Sequence, residues 1–356
     1  MSNYQPHRFP YLWRLADGYP AKGIENHGCK VFGTFICGGG SSMGYKLAGY
    51  HHLGGVELDQ KVAAIYKQNH NPEYLYIEDI REFNKREDLP EELYNLDILD
   101  GSPPCSTFSM AGSREKAWGK EKQFAEGQKL QRLDDLVFVY CDTIAKLRPK
   151  VCLLENVAGL VRGNGKVYAK KIVQRLNKVG YNVQVFLLNG ATMGVPQMRE
   201  RVFFIGHKME YKLPKLVLSF NEQPILFGEV MDREDTHNDL SEYQNELWCK
   251  RTPQDLCFGD VIERTEHRVS MFNNVFFHAN RVSPTLASKM LRCNSLYDIP
   301  RKLNDTEIKK ISSFPLDYDT KGGLIDFYCG MSVPPVMTAQ ISYQIYKQWL
   351  SKIKKI

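Results

Sequence analysis

The sequence of 356 residues lacks several features that mark specialised classes of protein. No run of eighteen uninterrupted apolar residues is present, which argues against a membrane-spanning helix. The first residues, MSNYQPHRFPYLWRL, lack the apolar core of a secretory signal, so we expect a cytoplasmic protein. The nine cysteines are scattered and form no Cys-x-x-Cys pair. That spacing gives no reason to expect zinc or a redox centre, and we predict no metal site.

The bulk composition is that of an ordinary globular protein of enzyme size. Hydrophobic residues make up 43% and charged residues 25% of the chain, which disfavours a disordered or fibrous protein. The net charge of +6 permits a polyanionic partner without requiring one. Between His207 and Asn280 acidic residues outnumber Lys and Arg, so the positive excess lies elsewhere in the chain.

From residue 30 to residue 205, short apolar runs alternate with longer amphipathic stretches. This alternation is typical of βαβ units and predicts an α/β fold with a Rossmann-like, mostly parallel sheet. The predicted strands are 30–37, 52–59, 74–80, 96–101, 151–157, 181–189 and 201–207. After residue 207 the alternation is lost. We therefore predict a main domain over 1–206, a smaller irregular domain over 207–300, and a segment over 301–356 that returns to the main domain.

Several chemically active side chains stand where these strands are predicted to end. TFICGGGSSMG places three glycines between a strand and a helix, where a tight turn lets a ligand approach the helix N-terminus. Glu57 and Asp59 end the next strand, where a carboxylate can accept hydrogen bonds from ribose hydroxyls. Asp79 ends the third strand and adds another acid at the same edge of the sheet. Each is also explained by an ordinary turn, but together they favour a nucleoside-containing cofactor.

The stretch GSPPCSTFS places Cys105 behind two prolines, where neither strand nor helix continues. The thiol is either presented to the crevice at the strand ends or packed as a small apolar group. Glu155 and Asn156 end the fifth predicted strand, where a carboxyl group can hold or share a proton. In GVPQMRER, Gln197, Arg199 and Arg201 alternate, so an extended segment places them on one face, where two guanidiniums can hold a phosphate or a base.

In their order and spacing these motifs resemble those of the DNA cytosine C5-methyltransferases. GSPPCSTFS is similar to the Pro-Cys nucleophile loop of that family, ENV to its Glu-Asn-Val element, and QMRER to its Gln-x-Arg-x-Arg element. RKLNDTEIKKISSFPLDY and YCGMSVPPVMTAQIS resemble the two motifs that follow the target-recognition domain. The resemblance covers nearly all of residues 30–345, and it implies a class I methyltransferase fold with a target-recognition domain in the region 207–300.

The resemblance also implies a reaction. Cys105 would add to C6 of a flipped-out cytosine, and Glu155 would hold the base, with Gln197, Arg199 and Arg201 in support. S-adenosylmethionine would be the methyl donor. Its predicted contacts are Phe35, Gly38, Gly39, Gly40, Glu57, Leu58, Asp79, Ile80, Pro103, Ser332 and Val333. Three residues depart from the family pattern, namely Cys37 at a glycine position, Leu58 at an aromatic position and Met331 at an asparagine position.

The partner implied by the resemblance is double-stranded DNA. The basic segment from Ala111 to Arg132 would close over the duplex. We expect a monomer in a bacterial or phage setting, associated with the nucleoid and with a cognate restriction endonuclease as a further candidate partner. Two alternatives stay open: a tRNA cytosine C5-methyltransferase, and a catalytically silent DNA-binding relic.

Overall fold

The computed structural model describes residues 4–104, 135–163, 165–270, 274–288 and 294–353. The chain divides into two compact units. The sheet unit comprises Tyr19–Asn189, Glu200–Ser219 and Thr338–Ile356. The helical unit comprises Met1–Gly18, Gly190–Arg199 and Phe220–Met337.

A seven-stranded, mostly parallel sheet forms the centre of the described part of the sheet unit. Its strands are β1 Lys30–Thr34, β2 His51–Glu57, β3 Tyr74–Ile77, β4 Ile98–Gly101, β5 Val151–Val157, β6 Tyr181–Asn189 and β7 Glu200–Lys208. They lie in the order β3-β2-β1-β4-β5-β7-β6. β7 is antiparallel to both of its neighbours, whereas the pairings among the first five strands are all parallel. The predicted α/β class and the mostly parallel sheet are confirmed.

Apolar side chains explain why these segments form central strands. β5 is buried along six of its seven residues, as expected for a strand covered on both faces. β1 is shorter than predicted. It ends at Thr34 because Phe35 takes a left-handed backbone conformation, with φ of 57°, which a strand cannot contain.

The helices of the sheet unit pack through apolar residues at helical spacing. They are α1 Gly40–Leu47, α2 Gln60–His70, α3 Ile80–Phe83, α4 Leu136–Leu147 and α5 Gly165–Lys178. In α4, Val137, Tyr140, Ile144 and Leu147 line one face and join the main core. Within the described ranges, no helix combines the length and the apolar character that a bilayer crossing requires.

The helical unit contains α6 Glu242–Cys249, α7 Phe258–Glu266, α8 Asp305–Ile311 and α9 Ile325–Met331, with a two-stranded parallel pair of β8 Phe276–Phe277 and β9 Ser295–Leu296. α10, Pro335–Gln348, begins in this unit and continues into the sheet unit. The predicted irregular domain over 207–300 contains regular helices at α6 and α7. A capping box of Ser241 and Gln244 starts α6, and an apolar face on α7 packs on Phe276.

The grouping of the chain differs from the predicted ranges 1–206, 207–300 and 301–356. The N-terminal segment belongs to the helical unit because its side chains bond there. The Trp13 indole donates to the carbonyl of Ser313 at 2.9 Å, and Glu222 accepts from the backbone N–H of Arg8 at 3.1 Å. Target recognition by the region 207–300 stays a prediction.

Candidate active site

The parallel strands bring several predicted site residues to one edge of the sheet. β1 to β5 run in the same direction, so their carboxyl ends lie together. Five predicted positions lie at or just beyond these ends: Phe35, Glu57, Asp79, Pro103 and Glu155. The chemical role of each position stays a prediction.

The turn after β1 is tight and conformationally unusual. Cys37 has φ of 45° and Gly39 has φ of 79°, and both values lie in the left-handed region. The left-handed conformation is unfavourable for any residue that has a Cβ atom. Cys37 therefore occupies a position that favours glycine. Gly38, Gly39 and Gly40 are buried, and Gly40 begins α1. A Cβ at Gly39 would lie 2.1 Å from Nε2 of His70, so only glycine fits there.

Glu57 at the end of β2 supports this turn. Its Oε2 accepts from the backbone N–H of Cys37 and its Oε1 accepts from that of Asp59, each at 3.0 Å. Burial raises the pKa of the Glu57 carboxyl, and the backbone donors oppose that rise. A carboxylate has about four acceptor sites, so the backbone donors of Cys37, Leu58 and Asp59 leave room for a ligand hydroxyl.

Beside Glu57 the edge exposes apolar surface. Leu58 is 39% exposed and Ile77 at the end of β3 is 48% exposed. The predicted adenine-edge residues have internal partners: Asp79 caps α3 and forms an ion pair with Arg81 at 3.1 Å, and Ile80 is buried.

Asp100 is a buried acid at this edge that the sequence analysis did not identify. It lies in β4 and accepts a hydrogen bond from the Tyr45 hydroxyl at 3.3 Å and another from Ser41, both on α1. Burial raises the pKa of Asp100 to about 7, and Glu155 acts in the same direction. Its carboxyl group therefore carries a proton part of the time at neutral pH. The available signal was a charged residue inside the apolar run LDILDG.

The start of the proline loop is fixed to β5. The Asn156 side chain donates to the carbonyl of Pro103 at 3.1 Å, and its own oxygen accepts from the backbone N–H of Val157. Asn156 is thus a second functional candidate without a role assigned from sequence. The predicted nucleophile Cys105 and the basic segment 111–132 lie outside the described residues.

Glu155 forms an ion pair with Arg201. Nε of Arg201 lies 3.0 Å from Oε1 of Glu155, and the two side chains are 15% and 11% exposed. The pair forms because β5 and β7 are antiparallel, with Val157 opposite Arg201. Burial lowers the pKa of the Arg201 guanidinium, and the Glu155 carboxylate opposes this change.

Gln197 and Arg199 lie in the helical unit, and the chain passes into the sheet unit between Arg199 and Glu200. The buried Arg199 guanidinium donates to three carbonyls: Leu286 at 3.0 Å, Gly330 at 2.8 Å and Ser332 at 3.0 Å. Gln197 accepts from the backbone N–H of Leu286 at 3.2 Å. These bonds join three chain segments of the helical unit. Contact of Gln197 or Arg199 with a base or a phosphate stays a prediction.

Ser332 and Val333, the remaining predicted cofactor contacts, also lie in the helical unit. Both are buried directly after α9, and the N–H of Ser332 bonds to the carbonyl of Tyr328 at 3.1 Å. Met331, which departs from the family pattern, is the last residue of that helix. Cofactor binding by this pair stays a prediction.

Comparison with known proteins agrees with the resemblance read from the motifs. The chain is 30% identical over 260 residues to the Type II methyltransferase M.FnuDI of Fusobacterium nucleatum. The aligned segment covers 71% of this chain and 67% of that relative. It is 29% identical over 264 residues to M.NgoPII of Neisseria gonorrhoeae, covering 71% and 68%.

Among solved structures, the fold matches a putative DNA modification methyltransferase encoded within an E. coli prophage, with a TM-score of 0.64 at 18% identity, covering 91% of this chain and 100% of that one. It also matches a DNMT2 mutant of Spodoptera frugiperda, with a TM-score of 0.60 at 14% identity, covering 89% and 99%. At these identities the structures support the fold alone. The family profile described as C-5 cytosine-specific DNA methylase matches residues 30–347. The chain therefore belongs to the C-5 cytosine-specific DNA methylase family.

Proposed function

We propose that this cytosine C5 DNA methyltransferase transfers a methyl group from S-adenosylmethionine to a cytosine flipped out of a short, specific duplex DNA sequence. The observation that carries the proposal is the pair of Glu155 on β5 and Arg201 on β7. Next to Glu155, Asn156 bonds to Pro103 at the start of the loop that leads to Cys105. A carboxylate that an arginine contacts at one oxygen, on the strand next to the proline loop, suits the activation of a cytosine ring.

Cytosine C5 is a poor nucleophile, so a residue of the chain must first raise the electron density of the ring. The Cys105 thiolate forms a bond to C6, and the electron pair displaced from the C5–C6 bond becomes available at C5. After methyl transfer a base removes the C5 proton, the C5–C6 double bond reforms and Cys105 leaves. These steps need access to the face of the ring, which a stacked base does not offer.

Glu155 supplies the proton chemistry of the base. Its Oε1 is held by Arg201, while no described residue is seen to donate to Oε2. Glu155 can therefore bind the N3 and exocyclic amine edge of a cytosine, deliver a proton to N3 as Cys105 adds, and take that proton back when Cys105 leaves. Arg201 orients the carboxylate, and its charge balances the ionised form of Glu155 when the base has left.

The edge of the sheet suits S-adenosylmethionine, which when bound supplies an electrophilic methyl group. Glu57 is positioned by three backbone donors and retains acceptor capacity for a ribose hydroxyl. Leu58 and Ile77, which are the chain neighbour and the strand partner of Glu57, expose apolar surface that suits an adenine ring. The buried glycine turn lets the backbone approach a ligand closely.

The function is tested with the purified chain, labelled S-adenosylmethionine and a pool of duplex oligonucleotides. We expect label in DNA, and a covalent complex on duplexes that carry 5-fluorocytosine at the target, because fluorine cannot leave as the C5 proton does. Cys105→Ala should abolish both signals. Methylated DNA without any trapped complex would contradict the role of Cys105.

The same assay separates the alternatives. Label in a tRNA pool but not in duplex DNA would favour the tRNA enzyme, and DNA binding without transfer would favour the silent relic. Mapping 5-methylcytosine in DNA from cells that express the chain reports the target sequence. As the relatives are Type II methyltransferases, we propose that this DNA resists a cognate endonuclease and that the chain acts as a monomer, which light scattering tests.

A further inference from the structure

Two histidines are buried behind the glycine turn of the sheet unit. His52 lies in β2 and His70 is the last residue of α2. Nε2 of His52 and Nδ1 of His70 are buried and make no hydrogen bond to any described residue. Burial lowers the pKa of His70 to about 3 and that of His52 well below its ordinary value. Both rings are therefore neutral at physiological pH.

His70 contacts the turn directly. Its Nε2 lies 3.2 Å from the carbonyl oxygen of Gly38. Since a carbonyl only accepts, the proton of the neutral ring is assigned to Nε2, which donates to Gly38. The ring also fills the space beneath Gly39, where a Cβ would lie 2.1 Å from Nε2.

The hydrogen bond from His70 helps to fix the orientation of the peptide group between Gly38 and Gly39. The carbonyl of Gly38 and the N–H of Gly39 belong to the same planar peptide group. The N–H of Gly39 donates to the carbonyl of Ile36 at 2.8 Å, and the carbonyl of Gly38 accepts from His70. Both polar ends of the plane are therefore fixed, one by the turn itself and one by α2.

The ring is itself held in place by α1 and α2. It stacks on Tyr66 with centroids 4.3 Å apart and planes 15° apart. The hydroxyl of Tyr66 bonds to Ser42 at 3.0 Å, and Nζ of Lys46 donates to the backbone carbonyl of His70 at 3.1 Å. The titratable groups that face His70 are thus Lys46, Tyr66 and His52, with no carboxylate among the described residues seen to pair with the ring.

We propose that His70 is a positioning residue for the methyl donor, because its N–H bond to Gly38 holds the glycine turn in the conformation that the cofactor binds. The inference rests on the proposed use of S-adenosylmethionine. A turn fixed before binding loses less conformational entropy when the ligand arrives, so the effect falls on cofactor affinity and not on the chemical step.

The test compares two substitutions. His70→Phe keeps an aromatic ring to stack on Tyr66 and fill the space under Gly39, but removes the donor. His70→Gln places an amide N–H where Nε2 was, and so restores the donor without the ring. His51→Gln is the matched control, because the His51 ring is exposed and pairs with the exposed Glu73.

Binding of S-adenosylhomocysteine is measured by calorimetry, and exchange of the Gly39 amide hydrogen by mass spectrometry. We expect His70→Phe to bind about tenfold more weakly, as for one lost hydrogen bond, and to exchange Gly39 faster. His70→Gln should bind within about threefold of the wild type, and His51→Gln should be unchanged. At saturating cofactor, kcat of His70→Phe should remain within about twofold of the wild type.

The outcomes separate this inference from the proposed function. Wild-type protein that binds no S-adenosylhomocysteine would contradict the proposed cofactor. Wild-type binding with equal affinity in His70→Phe, or equal losses in His70→Phe and His70→Gln, would overturn the role of the N–H bond. If His70→Phe does not fold, His70→Asn carries the same prediction, because its amide is too short to reach Gly38.

Discussion

Among the described residues, each unit contains an Arg–Glu pair with little solvent exposure, and the two pairs are built differently. In the helical unit, Arg301 and Glu307 are 2% and 0% exposed and meet through two contacts of 2.8 Å. Their remaining polar atoms are bonded as well. Arg301 also donates to carbonyls of Asp232, Asp235 and Lys302, and Glu307 also accepts from backbone N–H groups of Asp232 and Asn304.

In the sheet unit, Arg201 and Glu155 meet through one contact of 3.0 Å and keep some exposure. A buried ion pair balances the cost of desolvation only when its hydrogen bonds are complete. The closed pair of Arg301 and Glu307 is therefore suited to hold a fold together. The open pair of Arg201 and Glu155 retains bonding capacity for a third partner, as a site requires.

The largest effect is expected from opening the closed pair. Arg301→Met leaves the Glu307 carboxylate buried without its counter-charge, so we expect the free energy of unfolding to fall by about 3–5 kcal/mol. Urea unfolding measures it. The double variant Arg301→Met with Glu307→Met removes both charges and should recover much of the loss. If Arg301→Met alone lowers the free energy of unfolding by less than about 1 kcal/mol, the Arg301–Glu307 pair does not have the structural role that distinguishes it from the Arg201–Glu155 pair.

Substitution in the open pair of Arg201 and Glu155 should lower the activity and leave the stability nearly unchanged. Glu155→Gln keeps the shape of the side chain but cannot supply the proton, so we expect kcat to fall about a hundredfold or more. The unfolding free energy should change by less than about 1 kcal/mol. Glu200→Gln is the control, because that carboxylate pairs with the exposed Arg162 at 2.8 Å. Full activity in Glu155→Gln would contradict the proton role.

A third arginine extends the comparison. Arg199 has carbonyl partners where Arg301 has a carboxylate. The single ammonium of Arg199→Lys cannot bond all three carbonyls, so we expect a loss of about 2 kcal/mol in unfolding free energy. Arg162→Lys at an exposed ion pair should cost less than about 0.5 kcal/mol. Equal losses at the two positions would show that the carbonyl contacts of Arg199 add little stability.

The smallest effect concerns the neutral rings of the sheet unit. The pKa of His70 is about 3 in the folded chain and near 6.5 when unfolded. Below pH 6.5 the unfolded chain binds a proton that the folded chain does not, so acidification destabilises the fold. His70→Phe has no ring to protonate at this position. The free energy of unfolding of the wild type should therefore fall by up to about 1.4 kcal/mol more per pH unit than that of the variant. Urea unfolding at pH 7 and pH 5.5 measures it; parallel losses would contradict a neutral buried ring.

The strands of the sheet could be predicted because the apolar pattern that specifies each strand lies within its own short stretch of sequence. The bounds of β5 and β6 agree with the predicted 151–157 and 181–189, since apolar runs between turn residues specify strands directly. The end of β1 was placed too late because the left-handed conformation of Phe35 leaves no mark in the sequence pattern.

Site residues could be predicted from the sequence only where their position depends on a single strand. Glu57 and Glu155 lie where the strand-end rule expected them. The alternation of Gln197, Arg199 and Arg201 suggested one shared role, but the carbonyls around Arg199 come from residues about ninety or more positions away. Asn156, Asp100 and His70 likewise acquire their partners through tertiary folding, which sequence spacing does not report.

The reversed direction of β7 has a consequence for how the site tolerates change. Phe35, Asp79 and Pro103 follow parallel strands and lie in the loops beyond them, whereas Arg201 lies at the beginning of an antiparallel strand. Its place opposite Val157 is therefore set by ladder hydrogen bonds and not by loop conformation. Glu155 and Arg201 are thus held by the same pair of strands, so we expect their alignment to persist when the length or sequence of the neighbouring loops changes.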